Sequence, residues 1–299
     1  MIAKRKFGKT DMQVSVLGFG GAEIGFHQVP PEQVARLLDQ ALDDGLNVID
    51  TAECYLQSEE LIGQAVSHRR QDFYLFTKCG HPEGMENEDW SFASLLKSIE
   101  RSLKRLRTDH LDLIQLHSCS LEELKKGEVL RALEEARRKG YARYLGYSGD
   151  SQAARFAVES GRFDTLQTSV SIADQESLEL TLPLARERGL GVISKRPIAN
   201  AAWRTGKKPE NAYHHAYWER LRKLDYPFLR DGLQQSVATA LRFTYSIAGI
   251  HTMIVGSTQP GRWKENAALL ALGPLPDSEF QAIRRRWKEV ADASWAGEV

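Results

Sequence analysis

The chain carries, between residues 73 and 117, the segments FYLFTK (73–78), FASLLKSIERSLKR (92–105) and LDLIQLH (111–117). The first and third segments are short apolar runs of the kind found in buried strands, whereas the apolar residues of the middle segment recur with the period of a helix. A strand, a helix and a second strand in this order predict a βαβ unit whose two strands are parallel.

The same alternation extends over the rest of the chain. Further candidate strands lie at residues 16–20, 47–50, 143–146, 165–167, 191–195 and 252–256. Helix-period segments lie at residues 32–44, 59–67, 129–139, 152–160, 176–188 and 234–246. Eight strand–helix units in 299 residues favour a closed (β/α)8 TIM barrel, a fold of the α/β class, over an open sheet.

Segments outside this repeat complete a predicted single domain over residues 1–299. Residues 1–16 alternate polar and apolar positions on either side of Gly8 and predict an N-terminal β-hairpin that closes the bottom of the barrel. Residues 199–230, after the seventh strand, predict a long loop or lid at the catalytic face. Residues 277–295 predict an additional C-terminal helix.

The composition excludes several classes of protein. Lys plus Arg and Asp plus Glu both number 40, so the formal net charge is zero, which excludes a generally basic nucleic-acid binder. No apolar stretch reaches the roughly 18 residues that a membrane helix needs, and the first residues lack the apolar core of a signal peptide. Three cysteines are too few for a disulfide scaffold. The sequence thus predicts a cytoplasmic globular protein without a nucleic-acid or membrane partner.

Four ionisable residues fall at or just after predicted strand ends: Asp50, Tyr55, Lys78 and His117. A TIM barrel gathers the carboxyl ends of its strands at one face, where active sites are built. A phenol has a pKa of about 10, and a nearby Lys ammonium is expected to lower it. Tyr55 is therefore predicted to be the general acid for a carbonyl oxygen, with Asp50 holding Lys78 in place. His117 is predicted either to hydrogen-bond that oxygen or to relay a proton. Because no side chain donates hydride, such a site implies a nicotinamide cofactor.

Several motifs resemble the signature sequences of the aldo-keto reductases. They are GKT at residues 8–10, LGFGG at 17–21, VIDTAECY at 48–55, FTK at 76–78, LIQLH at 113–117 and IVGS at 254–257, together with Ser58, Glu59, Gly63, Glu265 and Asn266. The resemblance follows the family's order from about residue 4 to residue 270. It implies the barrel fold, NADPH-linked reduction of a small-molecule aldehyde or ketone, and a catalytic role for the four residues named above.

The resemblance also implies where the cofactor binds. The corresponding residues are Gly20, Gly21, Ser148, Gln167, Lys195, Arg196, Gly256, Ser257, Thr258, Arg262, Glu265 and Asn266. Ser148 and Gln167 would hold the nicotinamide carboxamide. Arg262 would bind the 2′-phosphate that distinguishes NADP(H) from NAD(H), at a helix N-terminus of the kind that suits a phosphate.

The sequence departs from the family pattern at three of these places. Gly149 stands where the family usually has Asn, and Gly256 replaces a basic residue found in some members. Lys195 replaces an aromatic residue that stacks on the nicotinamide in many members. The stem of Lys195 is expected to cover the ring instead, with its ammonium or Arg196 reaching the pyrophosphate. A solvent-facing Lys-Arg pair at the barrel rim is the alternative.

Aromatic residues in the loops are the candidate substrate contacts: Phe26, His27, Trp90 and Trp203. They favour an apolar or aromatic carbonyl substrate, with ordinary loop packing as the alternative.

Two other functions compete with the reductase. One is a non-catalytic NADPH-binding redox sensor on the same fold, and the other is a Schiff-base lyase with Lys78 as its nucleophile. The presence of all four catalytic residue types favours the reductase. Cys54, Cys79 and Cys119 lie near the site but lack a fourth ligand at a suitable spacing, so no metal site is predicted.

Overall fold

The computed structural model describes residues 2–82 and 84–298, and its centre is a closed barrel of eight parallel strands. In chain order the barrel strands are β3 (Leu17–Gly20), β4 (Val48–Asp50), β5 (Tyr74–Cys79), β6 (Leu111–His117), β7 (Ala142–Ser148), β8 (Thr165–Ser169), β9 (Gly191–Lys195) and β10 (Thr252–Gly256). Two shorter strands, β1 (Lys4–Lys6) and β2 (Gln13–Ser15), form an antiparallel hairpin. The predicted TIM barrel and hairpin are confirmed. Positions 1, 83 and 299 of the predicted domain, the first of which also belongs to the predicted hairpin, lie outside the described residues.

Helices cover the outside of the barrel. They are α1 (Ala22–Phe26), α2 (Pro31–Asp43), α3 (Ser58–Val66), α4 (Phe92–Leu106), α5 (Leu121–Lys126), α6 (Glu128–Arg138), α7 (Ser151–Ser160), α8 (Ser177–Leu180), α9 (Leu182–Glu187), α10 (His215–Leu224), α11 (Leu233–Tyr245), α12 (Arg262–Leu270) and α13 (Asp277–Val290). Their apolar faces pack against the barrel and form most of the core. Within the described part of the chain, no helix has the length and hydropathy needed to cross a membrane.

The hairpin closes the amino-terminal end of the barrel. Phe7, in its turn, is fully buried and stacks on Phe76 of β5 with a ring-centroid distance of 5.8 Å. Met12 and Val14 join it in a separate apolar cluster that fills this end of the barrel. Burying a large side chain of this kind contributes about 1.5–3 kcal/mol, so the hairpin adds stability at the end of the barrel away from the carboxyl ends of the strands.

The structure differs from the sequence expectations in three segments. The helix expected at 176–188 is two helices, α8 and α9, because Pro183 has no N–H and sits in the first turn of the second. The region 199–230 is not one loop: it contains α10 and the short 3-10 turns Ala199–Ala201, Ala212–His214 and Pro227–Arg230. The C-terminal helix ends at Val290 instead of residue 295.

The strand register brings the predicted site residues to one end of the barrel. Asp50 pairs with Gly20, Lys78 with Gln115, and His117 with Ser148 on neighbouring strands. Since all eight strands are parallel, these side chains share the carboxyl-terminal mouth, where barrel active sites lie.

His251, just before β10, gives the fold a pH-dependent stability. Its Nδ1 accepts the N–H of Val192 at 3.0 Å, and burial, with a smaller effect of Arg5, lowers its pKa to about 4. The unfolded value is about 6.5, so the stability is fully present above pH 6.5 and is lost as the pH falls toward 4. We expect His251→Asn, whose Oδ1 takes the place of Nδ1 and accepts the same bond at every pH, to lose on the order of 2 kcal/mol less unfolding free energy than the wild type between pH 7 and 4. Parallel curves of Tm against pH would contradict this.

Candidate active site

A buried ion pair lies at the bottom of the barrel mouth. Asp50 and Lys78 are each 1% exposed, and the Lys78 ammonium donates to Asp50 Oδ1 and to the carbonyl of Thr51, the latter at 2.9 Å. The other carboxylate oxygen, Oδ2, accepts amide N–H groups of Gln115 at 3.1 Å and Gln167 at 3.0 Å. Because the two charged groups bind each other and the remaining polar atoms of the carboxylate accept hydrogen bonds, the ion pair can be stable without contact to water.

Tyr55 lies above this pair in the loop after β4, half-buried. The Lys78 Nζ is 5.4 Å from the centre of the Tyr55 ring, and the His117 ring meets it edge to face at 5.6 Å. The pKa of the phenol is raised above its ordinary value, mainly by burial and further by Cys54 and Asp50. The predicted net lowering of this pKa is therefore wrong, because burial of the phenol outweighs the effect of nearby positive charge. Tyr55 consequently carries its proton at neutral pH.

His117 ends β6 and is 7% exposed. Its Nδ1 lies 3.3 Å from the sulfur of Cys54, and its main-chain carbonyl accepts a hydrogen bond from His81 Nε2 at 2.7 Å. Burial lowers the pKa of the imidazole well below its usual value, and the positive charge of Lys78 adds to this effect. The ring is therefore neutral at pH 7 and carries a single proton.

The predicted carboxamide-binding residues are linked to the ion pair. Ser148 donates to Gln167 Oε1 at 2.8 Å, while the amide nitrogen of Gln167 contacts Asp50. The structure also explains why Gly149 replaces the usual Asn. A Cβ at this position would lie 2.6 Å from the hydroxyl of Tyr147, which is fixed by its hydrogen bond to the carbonyl of Cys119 at 2.7 Å.

Lys195 and Arg196 surround a carboxylate that the sequence analysis did not identify. The ammonium of Lys195 lies 2.8 Å from Asp150, and Arg196 lies 3.6 Å from the same carboxylate. Burial opposes ionisation of Asp150, yet the two cations hold its pKa below the usual value. Burial also lowers the pKa of Lys195 to about 8, against the opposing charge of Asp150. The pair is therefore buried rather than solvent-facing.

The segment after α13 is bound to this cluster. Arg196 donates to the main-chain carbonyl of Glu298, to the hydroxyl of Tyr213 and, at 2.7 Å, to Ser169. Arg220 donates to the carbonyl of Ala296 at 2.7 Å and to the Glu298 carboxylate at 2.9 Å. Residues 296–298 therefore lie along the barrel mouth.

A second group of predicted cofactor residues lies between β10 and α12. Arg262 is half-exposed and pairs with Glu265 at 2.6 Å and with the side chain of Gln259 at 2.8 Å. Asn266 is 7% exposed. A small surface cavity beside them is lined by both polar and apolar groups: Leu37, Ala41, Val255, Ser257 and Asn266.

The glycines at the start of this region lie where strand ends approach other groups closely. A Cβ on Gly256 would lie 2.7 Å from Cγ of Glu23, so the helix α1 occupies the space that a larger side chain would need. Gly21 donates its N–H to the Asp50 carbonyl at 2.7 Å, Gly20 pairs with Gly256 across the strands, and the carbonyl of Thr258 accepts a bond from Gln33 at 2.6 Å.

The four candidate substrate residues are placed differently. Phe26 is 49% exposed at the mouth, with its ring 5.7 Å from Tyr55. His27 is exposed and pairs with Glu23 at 2.9 Å. Trp90 is buried, with its ring edge to face against His81 at 5.4 Å. Trp203 is part-buried and donates to Ser236 of α11 at 2.9 Å. Among these four residues, Phe26 is the one whose ring contacts Tyr55.

The three cysteines are free and buried, and each contacts a different group. Cys79 lies 3.6 Å from the carbonyl of Gln115, and Cys119 lies 3.8 Å from that of Ser120. In residues 2–82 and 84–298, no group of three or more side chains is arranged to hold a metal ion.

Several residues of the site were not predicted from the sequence, although the positions of two of them relative to the strands indicated where they lie. Gln115 precedes His117 by two positions on one strand, so the two share a face. Asp150 lies two residues after the carboxyl end of β7. Tyr213 lies in the short 3-10 turn Ala212–His214 and residues 296–298 lie in an irregular segment, so no periodic pattern indicates which groups they meet.

Comparison with known proteins agrees with this geometry. Residues 16–288 match the model of the "Aldo/keto reductase family". The solved holo form of the aldo-keto reductase AKR11C1 from Bacillus halodurans has a TM-score of 0.83 and 29% identity, with 99% of each chain covered. The uncharacterized oxidoreductase YqkF of Bacillus subtilis is 27% identical over 96% of this chain and 97% of its own length. L-Galactose dehydrogenase of Arabidopsis thaliana is 28% identical over 89% and 88% of the respective chains.

The family match spans most of the chain, and the barrel is the same fold as that of the solved relatives. The chain therefore belongs to the aldo/keto reductase family of oxidoreductases. Membership implies a nicotinamide cofactor and a small-molecule carbonyl substrate.

Proposed function

We propose that this aldo/keto reductase reduces aldehydes or ketones with NADPH and uses Tyr55 as the proton donor. The observation that carries the proposal is a protonated phenol at the mouth of the barrel, between the Asp50–Lys78 ion pair and the neutral ring of His117. A general acid must hold its proton until the oxygen of the substrate gains charge, and the raised pKa of Tyr55 meets this requirement.

The residues present fit a nicotinamide dinucleotide. Ser148 and Gln167 offer hydroxyl and amide groups suited to a carboxamide, and they lie next to the catalytic pair. Lys195 and Arg196 supply positive charge for a pyrophosphate, although Asp150 neutralises part of it. Beside α12, Ser257 and Asn266 offer polar groups to an adenosine, next to the apolar side chains of Leu37, Ala41 and Val255.

Each catalytic side chain has a distinct role in the proposed reaction. A bound nicotinamide supplies the hydride for the carbonyl carbon. Tyr55 transfers its phenolic proton to the carbonyl oxygen, and Lys78 stabilises the phenolate that remains, since its charge lies 5.4 Å from the ring. Asp50 holds that ammonium in place through a hydrogen bond. His117, as a neutral imidazole, donates a hydrogen bond to the same oxygen without adding a second positive charge.

NADPH is proposed over NADH because of Arg262. Its guanidinium is half-exposed, and its pair with Glu265 is a surface contact, worth at most about 1 kcal/mol. A dianionic phosphate can therefore displace the carboxylate at small cost and form stronger charge-assisted hydrogen bonds.

We expect Arg262→Leu to raise the Kd of NADPH about tenfold and to leave that of NADH unchanged. Both constants can be measured by quenching of tryptophan fluorescence. Arg155→Leu is the matched control, because Arg155 forms a similar surface pair with Glu159 on α7 at 2.8 Å. Equal weakening of both cofactors by Arg262→Leu would contradict a phosphate contact.

The carbonyl compounds to be tested are chosen from the side chains exposed at the barrel mouth and from the substrates for which two relatives are named. The exposed side chains of Phe26, Leu56 and Tyr213 favour apolar or aromatic carbonyls. Two relatives, L-galactose dehydrogenase and the D-threo-aldose 1-dehydrogenase of a Pseudomonas species, are named for sugars, so aldoses belong in the panel as well.

The test of the proposal is the loss of NADPH absorbance with each carbonyl, repeated with NADH. Turnover that prefers NADPH would support the reductase. Tight binding of NADPH without turnover of any carbonyl would favour the redox sensor instead. Borohydride trapping of a substrate on Lys78 would favour the lyase.

A further inference from the structure

The sulfur of Cys54 lies against the catalytic imidazole. Cys54 directly precedes Tyr55 and is 4% exposed, and its Sγ is 3.3 Å from His117 Nδ1. A second sulfur, Sδ of Met85, lies 3.4 Å from Cys54 Sγ. In the described residues, His117 Nδ1 has no other hydrogen-bond partner, and Nε2 has none at all.

Two proton arrangements fit these distances, and they give His117 opposite tautomers. In the first, the thiol donates to Nδ1 and the ring proton is on Nε2. In the second, Nδ1–H donates to the Cys54 sulfur and the thiol donates to Met85, which leaves Nε2 bare. In the second arrangement both hydrogen bonds are accepted by sulfur, which is a weak acceptor. In the first arrangement the thiol donates its hydrogen bond to an imidazole nitrogen, which is a stronger acceptor.

The state of the thiol also favours the first arrangement. Burial raises the pKa of Cys54 to about 12, despite the opposing charge of Lys78. The thiol therefore holds its proton at neutral pH, and the neutral ring of His117 has a nitrogen free to accept it.

We propose that Cys54 is a positioning residue that donates its thiol proton to His117 Nδ1 and so fixes the ring as the Nε2–H tautomer. This places a donor on the nitrogen that has no partner among the described residues, where it can hydrogen-bond the carbonyl oxygen of the substrate. The catalytic consequence rests on the proposed reductase function, whereas the tautomer itself does not.

The tautomer can be measured directly in the protein without substrate. Long-range ¹H–¹⁵N correlation spectra of protein labelled with ¹⁵N-histidine distinguish a protonated ring nitrogen from a bare one. The His117 signals are identified by their loss in His117→Gln. We expect Nε2–H alone in the wild type and in Cys54→Ser, because the hydroxyl can donate in place of the thiol. In Cys54→Ala we expect the Nδ1–H form to appear.

The same variants are then compared in turnover. Losing one neutral hydrogen bond should lower kcat about 3- to 10-fold in Cys54→Ala, with KM nearly unchanged and with recovery in Cys54→Ser. Cys79→Ala is the matched control, since it removes a buried thiol that does not contact His117. It should leave both the tautomer and kcat unchanged.

A His117 protonated on Nδ1 in the wild type would overturn the proposal, as would an unchanged Nε2–H spectrum in Cys54→Ala. A wild type that reduces no carbonyl would instead contradict the proposed function, because the spectrum is recorded without turnover.

Discussion

Replacing Tyr55 with Phe is expected to lower kcat by about 10²- to 10⁴-fold, the usual contribution of a general acid. The ring itself, which contacts Phe26 and His117, keeps its volume, so the Kd of NADPH should stay nearly unchanged. Turnover is followed by NADPH absorbance, and binding is followed by tryptophan fluorescence. The decrease in kcat should therefore reflect the chemical step and not the binding of the cofactor.

A matched control removes a hydroxyl from the other end of the barrel. Tyr144 bonds Asp11 at 3.0 Å on an exposed surface, so Tyr144→Phe should turn over like the wild type. If Tyr55→Phe were as active as this control, Tyr55 could not be the proton donor.

The Lys78→Met variant is expected to be inactive and to lose about 3–5 kcal/mol of unfolding free energy. The substitution removes the cation but leaves the carboxylate of Asp50, 1% exposed, without a charged partner. Denaturant unfolding measures the loss. The double variant Asp50→Asn/Lys78→Met should recover most of the stability, because no buried charge is left, and it should stay inactive.

Lys126→Met is the surface control for this measurement. Lys126 pairs with Glu123 on an exposed helix, and its loss should leave the unfolding free energy nearly unchanged. A Lys78→Met protein as stable as this control would mean that Asp50 is not charged in the fold. A double variant no more stable than Lys78→Met would mean that the destabilisation comes from lost packing.

The barrel and the clustering of the candidate catalytic residues could be predicted from the sequence because both follow local patterns. The segments at 111–117, 191–195 and 252–256 coincide with β6, β9 and β10, since short apolar runs between amphipathic helices have few other ways to be buried. Once strands are assigned, parallel pairing brings their carboxyl ends together, which is why Asp50 and Lys78 meet.

Other parts of the site depend on contacts between residues far apart in sequence. Nothing near Arg196 indicates that the carbonyl of Glu298 binds it, because no periodic pattern links the two segments. The direction of the pKa shift of Tyr55 depends on how deeply the mouth buries the phenol and on which charged groups lie near it. Both are properties of packing in three dimensions.

The sealed lower end of the barrel bears on how this protein can change over evolutionary time. Phe7, Met12 and Val14 complete the core at the end opposite Tyr55 and His117. These buried side chains stabilise the fold at the end of the barrel that no substrate enters. Substitutions in the loops of the mouth should therefore be tolerated. We therefore expect libraries that vary Phe26 or Leu56 to keep a high proportion of folded members while the range of carbonyls they accept diverges.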